Sequence, residues 1–424
     1  MSEQQLATPA SAARRDRDNP WTRSLAGVLG LAFLSAMLLL SIGSLPWTLG
    51  TVDDAGSTPR YNAGEAREGR LPPSWAPVGP ERAVSLNRAV EPQIIASIAA
   101  EAGVTPEDAV LITEGPVADS LRSHWPGTLL GSDELGRSLF VRCLLGGSIS
   151  LGIGIAAALL SVSIGTIYGV VAGYVGGTLD SVMMRIVDII YGLPYILLVV
   201  LLAVAGDALI EEWISQGGNK SAMVLREARA ELEARGEPAS AAAARQLLER
   251  EPELAANLRA AAGQAFPPRR ISPAQRNALD LAILLIAIGG VSWLTMARVI
   301  RGQVLSLKNQ PFMEAARAIG VPLPLQFIRH LLPNMIGPIV VYTTLTVPQA
   351  ILQESFLSFL GIGVKPPLPS WGNLAADGLD QVNRHRSDWW LLLFPSLLLG
   401  ATLLALNFVG EGLREAFDPK RARQ

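Results

Sequence analysis

Apolar residues in this chain fall into long runs separated by long polar intervals. About 20 consecutive apolar residues cross a bilayer as a helix. Six stretches meet that length: roughly 24–46, 147–174, 185–206, 279–298, 334–353 and 389–410. The pattern predicts an all-α membrane protein of about six transmembrane helices. The polar intervals are a tail at 1–23, a segment at 47–146, a second at 207–278, a loop at 299–333 and a tail at 411–424.

Within the polar intervals, helical periodicity is weaker. Residues 86–102 suit a modest helix. In 207–278, rich in Ala, Glu and Arg, residues 221–235 read as a helix ended by Gly236 and Pro238. Two more fit 240–250 and 252–262, before Gly263 and Pro267-Pro268. Leu225, Ala228 and Leu232 form one narrow apolar stripe, and Leu247, Leu248, Leu254 and Leu258 another. Such stripes fit either a small helical cap that touches a partner or a solvated insertion with no functional role.

Positive charge orients the spans. Arg14, Arg15, Arg17 and Arg23 precede the first one. A basic stretch before an apolar run also opens signal peptides, but this run is long and no A-x-A site follows it. The first span is therefore expected to stay, with the amino terminus in the cytoplasm. Six crossings return Lys420, Arg421 and Arg423 to the same side. The 299–333 loop, with Arg298, Arg301, Lys308, Arg317, Arg329 and His330, falls there too. Segments 47–146 and 207–278 are then extracytoplasmic.

Composition narrows the function. Charged residues make up 17% of the 424, below the roughly 25% of soluble domains, and the net charge is -2. No basic field points to nucleic acid. The single cysteine, Cys143, excludes an internal disulfide and reads as a small apolar filler. Asp133-Glu134 could suggest a metal or acid site, yet nothing nearby supplies further ligands. Gly173 to Asp180, G-Y-V-G-G-T-L-D, is glycine-rich but lacks the G-K-[ST] of a phosphate loop. His124, His330 and His385 are scattered over different sides, which argues against a membrane enzyme.

Five motifs carry a resemblance. Glu314 to Pro333 reads E-A-A-R-A-I-G-V-P-L-P-L-Q-F-I-R-H-L-L-P. Glu314-Ala315-Ala316, Gly320 and Leu332-Pro333 stand at the spacing of the EAA loop of bacterial ABC importer permeases. G-S-D-E-L-G-R (Gly131 to Arg137) resembles the G-T-D-x-L-G-R element of the peptide-importer branch, with Ser132 for threonine. G-Y-V-G-G-T-L-D resembles G-Y-x-G-G-x-x-D. S-F-L-G-I-G-V-K-P-P-L-P-S-W-G (Ser358 to Gly372) resembles another element of that branch. The tail G-E-G-L-R-E-A-F-D-P (Gly410 to Pro419) resembles its closing G-D-G-L-R-D-x-x-D-P, with Glu411 and Glu415 for aspartate. His330 departs from the isoleucine of the broad family, but R-H-x-L-P is the usual form in the peptide branch.

The resemblance implies a type I ABC importer permease fold, with 207–278 as a helical extracytoplasmic insertion. It implies the second permease subunit type of a dipeptide, oligopeptide or nickel importer, in the cell membrane. The implied partners are a second permease subunit, two ABC ATPase subunits, an extracytoplasmic substrate-binding protein and the lipid bilayer. ATP and Mg would sit on the ATPases, with no cofactor, metal or catalytic residue on this chain. The coupling residues implied are Glu314, Ala315, Ala316, Arg317, Gly320, Arg329, Leu332 and Pro333. Helix-forming alanines and a carboxylate in the first turn suit a slim helix inserted in a partner's groove. A rival class, a transporter driven by an ion gradient, needs ionisable residues in the spans. Asp188 and Glu354 are candidates, each isolated and near an expected span end. From the residues alone, Ser132 or Asp133 is expected to cap an amphipathic interface helix. Leu135, Leu139 and Phe140 would face apolar surroundings, Arg137 and Arg142 would face outward, and Trp371 would sit at the bilayer interface.

Overall fold

A computed structural model describes residues 25–52, 58–382 and 387–417. Helices dominate, and β-structure among the described residues is limited to isolated bridges. The helix α1 (Leu25–Gly43) continues through the short α2 (Leu45–Thr48). The long helices are α7 (Leu139–Val175), α13 (Pro273–Leu307), α16 (Leu332–Phe359) and α18 (Trp389–Phe417). With α1–α2, these provide five helices long and apolar enough to cross a membrane. A sixth candidate is a bent pair, α8 (Gly177–Tyr191) and α9 (Tyr195–Ser215), which meet at 89°.

That bend corrects the expected third span, 185–206, which straddles it. Pro194 cannot continue the α8 hydrogen-bond ladder, and Gly192 closes α8 by donating to the Asp188 carbonyl at 3.0 Å. α13 is also longer than its apolar core. At 1.5 Å per residue it extends about 52 Å, so 299–307 is helix and only the remainder of 299–333 connects spans.

The seam between α7 and α13 follows from small residues. A Cβ at Gly165 would stand 2.6 Å from the Met296 Cβ, and one at Gly169 would stand 2.5 Å from the Ala297 carbonyl. A Cβ at Gly173 would stand 3.0 Å from the Arg301 carbonyl. Spaced by four, these glycines line one helix face and let the backbones approach. α1 packs on α18 in the same way, where Gly30 leaves room for the Ala405 carbonyl. Side chains buried between α7, α9, α13 and α16 include Ile153, Val199, Ile288 and Leu357.

The first polar segment folds onto one end of this bundle. Its helices are α3 (Pro80–Ala89), α4 (Pro92–Ala102), α5 (Pro106–Leu111) and α6 (Pro116–Arg122). The single helix expected over 86–102 is broken at Val90–Glu91, before Pro92. Leu71, Leu86, Val90 and Leu121 are buried within the segment.

The G-S-D-E-L-G-R element is a turn and not a capped helix. Asp133 Oδ1 accepts from the Leu135 N–H (3.0 Å) and the Arg137 N–H (2.9 Å). Its Oδ2 accepts from Arg137 Nε at 2.7 Å and from Arg142 Nη1. Arg142 is buried and faces inward to this carboxylate, while Leu135 is exposed. Helical periodicity misplaces both, because α7 begins only at Leu139. Ser132 Oγ receives the Leu71 N–H at 2.8 Å, pinning the first polar segment to the turn.

The 207–278 insertion forms α10 (Gly217–Ala234), α11 (Ala241–Arg250) and α12 (Pro252–Ala265). Both apolar stripes contribute to a small core, with Ala228, Leu232, Ala244 and Leu247 buried at its centre. Arg235 bridges Glu231 and Glu251, and this hydrogen bonding holds the Glu251 carboxyl below its ordinary range. The two ends of the insertion are tied together. Arg269 N–H donates to the Ile214 carbonyl (2.8 Å), and Gln216 Nε2 donates to that of Pro267 (2.6 Å).

After α16, residues 360–370 run irregularly into α17 (Trp371–Asp380), capped by Ser370. Trp371 is fully buried, and its Nε1 donates to the Cys143 carbonyl at 3.1 Å. This corrects its expected place at the bilayer interface: the glycines around it let α17 fold back into the bundle. Lys365 pairs with Asp207, fastening the 360–370 segment to the half of α9 nearer the insertion.

Candidate functional site

At the end of the bundle opposite the insertion, two short helices connect α13 to α16. Pro311 starts α14 (Pro311–Ala318), where its missing N–H costs nothing. Glu314 lies in the first turn, and its charge suits that end of the helix. Gly320, at φ +75°, ends it with paired bonds. The Val321 N–H reaches the Ala316 carbonyl and the Gly320 N–H reaches that of Arg317, both at 3.0 Å. Then come α15 (Leu323–Gln326) and a π-helical turn, Phe327–Leu331, that runs into α16.

One face of α14 is anchored and the other is bare. Met313 and Ala316 are buried, Met313 against Ile300, Val304, Leu331 and Met335. Glu314, Ala315 and Arg317 are exposed. So are Phe312, Ile319, Leu323 and Ile328, with Ile319 at 79%. Arg317 reaches back to the Lys308 carbonyl, and Lys308 Nζ donates to the Gly173 carbonyl at 2.8 Å. Tyr174 OH donates to Gln326 Oε1 at 2.7 Å, and Gln326 Nε2 donates to the Val321 carbonyl. Arg301 grips Asp180 with two nitrogens. The connector is thus bolted to the α7–α8 corner by polar bonds and to α13 by Met313.

Of the sequence-predicted residues, Glu314, Ala315, Ala316, Arg317 and Gly320 share α14 and its stop. Arg329 is exposed on the π turn, one residue before His330, whose carbonyl accepts from Asn334 Nδ2 at 2.7 Å. Leu332 and Pro333 open α16.

A cavity of about 610 Å³ lies between the α8–α9 bend, α13 and α16. Tyr195, Ser292, Thr295, Thr346, Gln349 and Gln353 supply its polar lining, with no acid or base among the lining side chains. Tyr195 OH donates to Gln353 Oε1 at 2.8 Å and lies 2.7 Å from Ser292 Oγ. Sequence reasoning missed this lining, because uncharged polar residues within apolar runs carry no local signature. It also misread the two intramembrane acids as isolated. Asp188 accepts from Arg298 at 2.8 Å, and Glu354 is wrapped by serines.

A multi-pass helical membrane subunit is defined by this bundle, with a central polar cavity and a short helix standing at one rim. More narrowly, the chain belongs to the family of binding-protein-dependent transport system inner membrane components, whose model matches residues 165–423. Its fold is that of type I ABC importer permeases. The chain is 38% identical over 290 residues to an oligopeptide transport system permease protein OppC of Haemophilus influenzae, covering 68% of this chain and 70% of that one. It is 37% identical over 300 residues to the dipeptide transport system permease protein DppC of Bacillus subtilis, covering 71% and 70%. The Bacillus subtilis OppC matches at 35% over 299 residues, covering 70% and 72%.

Proposed function

We propose that this chain is one of two permease subunits of an ATP-driven importer for dipeptides or oligopeptides, and that α14 is its coupling helix. The observation that carries the coupling role is the division of α14 into an anchored face, Met313 and Ala316, and an exposed one, Phe312, Glu314, Ala315 and Ile319. A helix held rigidly on one side and bare on the other passes displacement from a partner's groove to the bundle. Met313 hands that displacement to α13, and the π turn hands it to α16. Both helices wall the polar cavity, so movement of the ATPase pair rocks the cavity between two accesses.

The neutral lining suits peptides as a class. Hydroxyl and amide groups hydrogen-bond a peptide backbone without selecting one side-chain charge. The names of the similar proteins support the same substrate class. In this reading α14 is cytoplasmic, the insertion faces outward, ATP and Mg2+ stay on the ATPase partners, and a binding protein delivers peptide from outside. The enclosure of Glu354 and the pairing of Asp188 do not favour an ion-gradient mechanism.

Charge reversal tests the coupling helix. Glu314→Lys and Gly320→Pro are expected to leave the protein in the membrane at parental level. Peptide uptake should fall while ATP hydrolysis by the complex no longer follows it. Parental uptake by both variants would sink the assignment.

A further inference from the structure

Glu354 is fully buried in α16, within the membrane bundle. A carboxylate there is costly unless its oxygens are satisfied. Serines from two helices do this. Ser150 Oγ of α7 donates to Oε2 at 2.9 Å. Ser358 Oγ donates to Oε1 at 2.7 Å, and Ser355 Oγ to Oε2 at 3.3 Å. Two of these hydroxyls also accept main-chain N–H groups. Ser358 Oγ receives Val364 at 3.0 Å, and Ser150 Oγ receives Trp371 at 3.3 Å. Val364 lies in the irregular segment, and Trp371 is the first residue of α17. Each hydroxyl therefore links the carboxylate to backbone that would otherwise lose its partner.

The chain is shaped for this contact. A Cβ at Gly363 would stand 2.2 Å from Ser358 Oγ, and one at Gly372 would stand 2.5 Å from the Ser355 Cα. One residue before Glu354, a step of 100° around the helix, Gln353 points to the other side. There it meets Tyr195 at the edge of the cavity nearer the insertion. A single turn of α16 thus carries a buried hub on one side and a cavity closure on the other.

We propose that Glu354 is a positioning residue for translocation. It holds the 360–370 segment and α17 to α7 and α16, and so sets where Gln353 closes the outer end of the cavity against Tyr195. The placement of outside and inside rests on the functional reading above. Gln353 is the residue that touches the cavity; Glu354 acts through it.

The test uses the assembled transporter, with both permease subunits, the ATPases and the binding protein, in proteoliposomes. Gln349→Cys in a Cys143→Ser background reports from inside the cavity, one turn of α16 below the closure. An impermeant maleimide is added from the outer face without ATP, and uptake of a radiolabelled alanine tripeptide is measured separately. With Glu354→Gln, assembly is expected at parental level. Maleimide labelling should rise by about tenfold and uptake should fall by a similar factor, within the usual size of site-to-site coupling. A purely structural role would lower assembly and leave labelling per assembled complex unchanged. Parental labelling in assembled Glu354→Gln overturns the proposal. If that variant does not assemble, Ser358→Ala decides. It cuts the Ser358 bond to Glu354 Oε1 together with the link to Val364 and leaves Ser150 and Ser355 in place, so raised labelling supports the hub and parental labelling overturns it. The labelling arm needs no substrate, so tripeptide refused by the parent counts against the peptide reading alone.

Discussion

Asp133 shows what one side chain can organise outside the spans. It closes its own turn through two backbone N–H groups and takes two guanidinium groups, one of them buried. Removing one partner of a buried ion pair leaves a charge uncompensated. Arg142→Leu is therefore expected to destabilise the fold by about 3 kcal/mol, the lower end of such losses because Arg137 still pairs with Asp133. Thermal unfolding in detergent checks this, with Arg122→Leu on the exposed surface as the near-silent control. The sequence pattern placed Arg142 outward, because helical period reports local facing and not a partner nine residues away. The same blindness hid Glu354, whose serines lie on α7 as well as α16, and Trp371, whose burial depends on Gly372 fitting against Ser355. Glu314 and Gly320 were legible because the body and stop of α14 are decided by neighbours in the chain, whereas its start at Pro311 was not singled out.

Among the elements, α7 and α13 share a seam in which three glycines replace side chains. Gly169→Leu would push a side chain into the Ala297 carbonyl and Ile300. Overpacking of this kind costs about 1–3 kcal/mol. The expected result is a lower detergent melting temperature and a lower yield in the membrane fraction, with Gly152→Leu, where a Cβ meets open space, close to parental. The spans themselves were legible as apolar runs, since membrane thickness sets their length. The α8–α9 bend was not, although Gly192 and Pro194 mark the place. An apolar run reads the same whether the chain crosses straight or turns. α16 has two internal prolines, Pro338 and Pro348. Each removes one ladder bond, so the coupling end and the hub end of this helix are joined by softened turns.

For the molecule as a whole, the arginine distribution gives a sidedness that labelling can check. In a Cys143→Ser background, Ser221→Cys on α10 is expected to react with an impermeant thiol reagent outside intact cells, and Ser306→Cys near the end of α13 is not. The reverse pattern would invert the molecule. The insertion was legible as three helices because breakers separate them: Gly236 and Pro238, then Pro252. Its small core was suggested only by weak stripes, since neither stripe is wide enough alone. Replacing 219–266 by a short Gly/Ser linker is expected to preserve membrane assembly and ATPase binding, measured by co-purification. Collapse of the complex would show the segment to be integral to the fold.

The tie between Ile214–Gln216 and Pro267–Arg269 has a practical side. Subunits of this kind are hard to orient in electron images, because detergent or lipid hides most of their mass. Here the chain leaves the bundle and returns at adjoining points, so a rigid antibody fragment or a fused marker could occupy that doorway without pulling the flanking helices apart. In the assembly proposed above, with two permease subunits, it would label one half and so break the pseudo-symmetry that would otherwise blur their images together.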